Sequence, residues 1–231
     1  MKWYEQGKKK AVTFSYDDGT VQDVRLIELL DKYGLKSTFN LCSGWLPKHK
    51  DDDFIGKNRK VCRGDVKHIY TGHEVATHTI DHLHLTECDD AEVIRQVEND
   101  RQILSDLVGY EVVGMAYPYC NHDDRIIELI KNNTGVKYSR AGSKKPPDFE
   151  MPSELFCVKA TTSHLKFDMM MSLAEEFIEL KTDTPKIFYI YGHSYELDQA
   201  PDNWARAEEF FKLISNRDDI FYGTNKDVLL E

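Results

Sequence analysis

The sequence predicts an α/β fold in which a parallel sheet closes, or nearly closes, into a barrel, with residues 1–231 forming a single domain. Three observations carry this expectation. Strand-like and helix-like segments alternate from end to end without an internal repeat or low-complexity tract, the pattern of parallel strands joined by helical crossovers. A length of 231 residues suits one α/β barrel with ample core. The residues with the most evident chemistry, Asp17, Asp18, His78, Tyr119 and His193, each fall just after a predicted strand, which would gather them on one face.

The stretch Ala11 to Gly19, AVTFSYDDG, sets the pattern: Val12, Phe14 and Tyr16 alternate with Thr13 and Ser15 and run into two acids at the strand's C-terminal end. Val21, Val24, Ile27 and Leu30 then recur at helical spacing, and Gly34 ends that helix. Ser37 to Leu41 is a second strand, completing a βαβ unit. Residues 44–63, with Pro47, the run Asp51 to Asp53 and several lysines, read as a polar surface loop of the kind that carries selectivity above strand ends. A short helix over Asp65 to Tyr70 and a turn at Gly72 precede a third strand, Glu74 to Thr77, which leads into HTIDHLH. Asp89 or Asp90 caps a long amphipathic helix (Val93, Val97, Leu104, Leu107, Val108) that ends near Gly109. Glu111 to Ala116 is a fourth strand, Asp123 or Asp124 caps the next helix, and Val136 to Ser139 is a fifth strand. Pro146, Pro147 and Pro152 argue for loop across 141–166. A helix over Asp168 to Leu180, with Met169 to Met171 as core, precedes the strand Lys186 to Tyr191 and then Gly192-His193. Trp204 to Ile214 is the last amphipathic helix and Ile220 to Tyr222 the last strand, which brings the count to about seven parallel strands.

Forty acidic against 30 basic residues give a net charge of −10, whose field disfavours nucleic acid and anionic membranes as partners. The five cysteines, Cys42, Cys62, Cys88, Cys120 and Cys157, are odd in number and contain no Cys-x-x-Cys pair, so they read as reduced thiols. The N-terminal stretch has no apolar core of a secretion signal and no run of eighteen apolar residues occurs, so a cytoplasmic protein is expected. Oligomeric state is left open.

His78 and His82 are four residues apart, which puts both imidazoles on one side of a helical segment or tight turn, a common way to chelate a divalent ion. Two histidines and one carboxylate make a facial set with open positions. These residues resemble the polysaccharide deacetylase family, also called the NodB-homology or carbohydrate esterase family 4 domain, and the likeness spans nearly the whole chain. The family's Thr-Phe-Asp-Asp-Gly is similar to Ser15-Tyr16-Asp17-Asp18-Gly19 here. Its Gly-His-Glu followed by His-(Ser/Thr)-x-x-His is matched by Gly72-His73-Glu74 and His78-Thr79-Ile80-Asp81-His82.

That resemblance implies a distorted (β/α) barrel with fewer strands than eight. It implies Asp18, His78 and His82 as ligands of a divalent metal, zinc first among cobalt, nickel, manganese and iron. It further implies Asp17 as general base, His193 as general acid, and the Pro118-Tyr119 turn as a backbone oxyanion donor. The expected activity is a metal-dependent hydrolase acting on a carbon–nitrogen bond outside peptides, removing acetyl from an N-acetylated sugar or oligosaccharide. A non-sugar linear amide and a degenerate carbohydrate-binding member are the alternatives. A histidine, with its reference pKa of about 6.5, suits an acid that protonates an amine near neutrality.

Departures from the family pattern are equally specific. Its Arg-Pro-Pro-Tyr is replaced by Ala116-Tyr117-Pro118-Tyr119, so the arginine that tethers the base is missing, and Arg140, after the fifth strand, is the candidate to supply that charge. No Asp-x-x-Asp-Trp occurs, and Tyr191 stands where the family has the leucine of the acetyl pocket. Glu196, three after His193, reads equally as a group that orients that imidazole and as a solvated acid at a helix start. His84 reads as a spare ligand or as a residue behind the ligands or in solvent, Trp45, His122 and His164 are candidates for substrate contact against packing or surface loop, and His73 belongs to a strand-leading turn.

Overall fold

The computed structural model describes residues 1–49, 52 and 58–231. Of the acidic run in the expected polar loop, Asp51 and Asp53 therefore lie outside the described residues, as does the centre of that loop. The strands are β1 (Lys10–Asp17), β2 (Ser37–Leu41), β3 (Glu74–Thr77), β4 (Gly114–Ala116), β5 (Tyr138–Ser143), β6 (Val158–Ala160), β7 (Thr162–Ser163), β8 (Lys186–Gly192) and β9 (Ile220–Tyr222). They form one sheet in the order β6-β5-β4-β3-β2-β1-β8-β7, and each pairing between named strands is parallel.

Only Thr161 separates β6 from β7, and its N–H donates to Tyr189 O at 2.7 Å. The run 158–163 thus bonds to β5 at its start and to β8 at its end, which closes the barrel. This corrects the reading of 141–166 as loop: the prolines govern its first half, while two strands of three and two residues are too short to show a period. β9 lies beside Lys10–Val12 of β1, on the edge where β2 takes over from Phe14 to Asp17. β4 is shorter than expected, and β5 begins at Tyr138 and extends to Ser143.

The period-two alternation of β1 divides its side chains between two environments. Val12, Phe14 and Tyr16 face the outer shell, where Phe14 packs edge-on against Phe210 and Phe211 of the helix Asn203–Ile214 at 6.2 and 5.5 Å between ring centroids. Thr13, Ser15 and Asp17 point into the barrel, whose interior is polar and hydrogen-bonded. The Thr13 hydroxyl donates to Asn225 Oδ1 at 2.9 Å, and Asn40 Nδ2 donates to Ser15 Oγ and Asp17 Oδ1, both at 2.8 Å. At the N-terminal end of the strands the helix Asn225–Leu229 and Trp3 plug the opening, the Trp3 indole N–H donating to Val228 O at 3.1 Å. Glu74 lies near this plug, accepting from the Thr38 hydroxyl at 2.6 Å and from Lys226 N at 3.0 Å, and burial pushes its pKa to about 7.

The helices follow the sequence with local corrections. The first long one is Asp23–Lys32, buried through Leu26, Ile27 and Leu30, and Gly34 at φ +66° supplies the left-handed turn after it. Val21 and Val24, expected on its inner face, are 39% and 43% exposed: Val21 precedes the helix, and Val24 lies in its first turn away from the face buried by Leu26, Ile27 and Leu30. Asp89 caps the helix beginning at Asp90, accepting from Glu92 N at 2.8 Å, and a π-turn over Arg95–Asn99 interrupts it before it ends at Gly109. In the helix Phe167–Glu179 Met170 is buried in the core and Met171 packs against it partly buried, whereas Met169 is exposed, so the methionine run is not core throughout. Among the described residues no helix is long and apolar enough to cross a membrane.

Phe14→Ala removes a side chain that is 1% exposed and wedged between two helix aromatics. A loss of about 3–5 kcal/mol in urea unfolding is expected; a loss below about 1 kcal/mol would contradict the packing described.

Candidate metal and catalytic centre

The site lies at the C-terminal end of the strands, where β1 delivers two acids in opposite directions. Asp17, the last inward residue of β1, is 4% exposed. Arg140 Nη2 of β5 donates to its Oδ2, and Asn40 Nδ2 of β2 to its Oδ1. Burial works to raise the Asp17 pKa; the charges of Arg140, then His78 and His193, outweigh it and hold the carboxyl below the usual range. Asp18 leaves the strand at φ +80°, a left-handed turn that points its carboxylate elsewhere. Its Oδ1 stands 3.8 Å from His82 Nε2.

His78 follows β3. Its Nδ1 meets Ala116 O at 2.7 Å; a carbonyl only accepts, so Nδ1 carries the proton and Nε2 keeps its lone pair for the site. The segment 78–82 is a tight turn rather than a helix, with Thr79 at φ +68°, His82 at φ +56° and the His82 N–H donating to Thr79 Oγ1 at 3.0 Å. The two imidazoles are edge to face with centroids 4.7 Å apart. Asp100, beneath the turn, accepts from Ser43 N at 2.7 Å and from the Thr77 hydroxyl at 2.5 Å, and burial pushes its pKa to about 6. Burial lowers the pKa of both ligand candidates, His82 to about 4, so both rings are neutral donors at pH 7.

Asp18, His78 and His82 each offer a ligand atom within 4.8 Å of the others. Asp18 Oδ1 is buried and has no hydrogen-bond partner. An orphaned carboxylate oxygen facing two neutral imidazoles is a donor set that fits a divalent cation.

His193 stands across from this trio, its Nε2 4.0 Å from Asp17 Oδ2. His78 Nε2 is also 4.0 Å from that oxygen. On the far side of the His193 ring, Nδ1 lies 3.2 Å from Glu196 Oε2, which also accepts from the His193 N–H at 2.9 Å and meets His164 Nε2 at 2.9 Å. Burial alone would lower the His193 pKa; the contact with Glu196 and the charge of Asp17 raise it above the ordinary value. His164 is buried against Gly192, where an added Cβ would come 2.2 Å from the imidazole, so only glycine fits.

These groups face a cavity of about 610 Å³, walled further by Trp45, Lys60, Tyr117, Tyr119, Tyr191 and Tyr195. Tyr119 and Cys120, both at φ +56°, form the turn after Pro118, and the Tyr119 ring meets His82 edge-on and stacks on His84 with centroids 3.9 Å apart. Tyr191 turns towards the site, its ring centroid 4.8 Å from the Arg140 guanidinium. Trp45 stacks on His82 at 4.9 Å. His122 instead packs on Tyr117 and lies 3.3 Å from Cys157 Sγ, and His73 is committed to Ser37 N and Asp31.

Several cavity or base-holding residues, among them Asn40, Asn58, Lys60 and Tyr195, escaped the sequence reading. Asn40 could have been found from the strand alternation, since it is the inward residue paired with Asp17 in register. Lys60 is brought in by a bridge to Thr20 across a long loop, and Tyr195 by the turn after His193, neither of which has a local pattern.

The polysaccharide deacetylase family model matches residues 4–139, more than half the chain. The chain belongs to the polysaccharide deacetylase family. No curated protein matches it. Among solved structures, a probable polysaccharide deacetylase from Pseudomonas aeruginosa PAO1 superposes with a TM-score of 0.73 at 13% identity, covering 98% of this chain and 92% of that one. The Streptococcus pyogenes deacetylase PplD in complex with acetate gives a TM-score of 0.52 at 16% identity, and the match covers 63% of this chain but only 61% of PplD. A mutant of a CE4 family pseudoenzyme gives 0.60 at 14% identity, with 96% of this chain and 67% of that chain covered. At these identities the likeness is one of fold.

Glu196→Gln removes the negative charge that raises His193. The His193 midpoint, followed by NMR titration, is expected to fall, carrying the alkaline limb of any His193-dependent rate to lower pH. An unmoved midpoint would show that Glu196 does not set it.

Proposed function

We propose that this chain is a metal-dependent deacetylase that hydrolyses the acetamide of an N-acetylated sugar or short oligosaccharide. The observation that carries this is the shared position of Asp17 Oδ2, 4.0 Å from both His78 Nε2 and His193 Nε2, which sets a buried carboxylate between the ligand trio and a second imidazole. Asp18, His78 and His82 would hold the divalent ion, zinc first among the candidates. When bound, that ion supplies a lowered water pKa and polarisation of the acyl oxygen.

The protein's own groups divide the remaining work. Asp17, ionised because Arg140 offsets its burial, accepts the proton of the attacking water. His193, kept protonated by Glu196 and Asp17, donates a proton at Nε2 to the departing amine. Its raised pKa keeps that proton available at neutral pH, and Asp17's lowered pKa keeps the base charged at the same pH. A backbone N–H of the Pro118-Tyr119 turn shares the oxyanion. Tyr191, larger and more polar than a leucine, shapes the acyl end of the cavity, and Trp45 and Tyr119 offer aromatic faces to a sugar ring. A degenerate, binding-only member has no use for a buried base beside a ligand, and both acids, both ligand histidines and His193 converge here on one cavity.

Acetate release from N-acetylglucosamine oligomers by the metal-loaded protein tests this reading. Asp17→Asn is expected to slow it at least 100-fold, in line with the ~10²–10⁴-fold typical of a general base. His78→Ala is expected to lose stoichiometric metal by elemental analysis. Full activity in the first variant, or full metal content in the second, would refute the roles given.

A further inference from the structure

Among the described residues lining the cavity, two side chains carry a permanent positive charge, and they are differently employed. Arg140 is engaged by Asp17 and by the Tyr191 ring. Lys60 has contacts of the same two kinds, but without a hydrogen bond to a described residue. Its side chain is 1% exposed, its Nζ lies 4.5 Å over the Trp45 ring centroid, and its ionic partner, Asp18 Oδ2, is 3.7 Å away, beyond hydrogen-bonding distance. Among the described residues Nζ makes no hydrogen bond, and an ammonium has three donors that seek acceptors. Asp18 is a poor candidate for that role, because its other oxygen is directed at His82 in the ligand trio. What suits Lys60 is an acceptor arriving from the cavity.

We propose that Lys60 forms an anion subsite, so that the N-acyl substrate carries a carboxylate or phosphate close to its amide. The inference rests on the deacetylase reading and narrows its substrate class. Lys60 Nζ stands within 3.7 Å of a ligand carboxylate, so the anionic group belongs beside the acylated position of the sugar and not at the far end of a long chain. Trp45 steers the ammonium: cation–π attraction fixes Nζ over the indole while its donors stay free. A cationic wall in a protein of net charge −10 is a local device, opposed to the overall field.

The test compares kcat/KM of the metal-loaded protein for N-acetylmuramic acid, N-acetylglucosamine 1-phosphate and neutral N-acetylglucosamine, the first two carrying their anion on a carbon next to the acylated one, in wild type, Lys60→Met and Lys60→Arg. Wild type is expected to favour one of the anionic compounds about tenfold or more, a margin suited to a charge-assisted hydrogen bond. Which compound is favoured separates carboxylate from phosphate. Lys60→Met should abolish the preference and Lys60→Arg should keep most of it. No preference in wild type would overturn the proposal, as would an equal slowing of all three compounds by Lys60→Met, which would make Lys60 a plain counter-ion of Asp18. Should Lys60→Met fail to fold, the wild-type preference and its retention in Lys60→Arg decide. If none of the three is hydrolysed, the deacetylase reading fails by itself, and equilibrium dialysis of the same compounds judges the subsite: Lys60-dependent retention of an anionic one supports it, and equal retention of all three overturns it.

Discussion

A carboxylate buried inside a barrel is the constraint on which this structure turns. Removing Asp17 from water costs several kcal/mol unless charge and hydrogen bonds are restored. Arg140 restores the charge from β5, across the barrel, and Asn40 the hydrogen bond from the neighbouring β2, so the ion is held from two separate strands. The same constraint explains why Arg140 is itself buried at 1% exposure: each ion is the other's solvent. Breaking one leaves the other stranded, which makes the pair a structural commitment as well as a chemical one.

The polar barrel interior extends this logic. Thr13, Ser15, Thr38, Asn40, Glu74 and Asn225 form a hydrogen-bonded column between the plug at the strands' N-terminal end and the site at the other. The largest apolar cluster lies outside the sheet, against the helices, and a smaller one packs around the plug at the strands' N-terminal end, so the sheet can present polar groups inward between plug and site. Backbone strain is concentrated at the open end: Asp18, Thr79, His82, Tyr119 and Cys120 all have positive φ. Non-glycine residues adopt that conformation at a cost, and four of these five, Asp18, His82, Tyr119 and Cys120, line the cavity.

Much of this was legible in the residues themselves. The alternation in β1 gave both its faces, and Asp89, Asp123 and Gly109 marked helix ends through their capping chemistry. The positions after strands located Asp17, Asp18, His78, Tyr119 and His193 on one rim because parallel sheets put every strand's C-terminal end on the same side. Illegible were features created by closure alone. β6 and β7 have no period to detect, Val24 looked like a core residue until the helix phase was fixed, and Lys60 arrives from a long loop. Arg140 was suggested by its place after a strand, but its contact with Asp17 depends on strand order, which local patterns do not encode.

The most direct test of the central claim is the rate of acetate release in Arg140→Met, measured beside Asp17→Asn with folding checked by circular dichroism. If Arg140 keeps Asp17 charged, the variant folds with reduced stability and its kcat falls to about the level of Asp17→Asn, roughly 100-fold or more below wild type. A folded Arg140→Met protein with wild-type kcat would contradict the account.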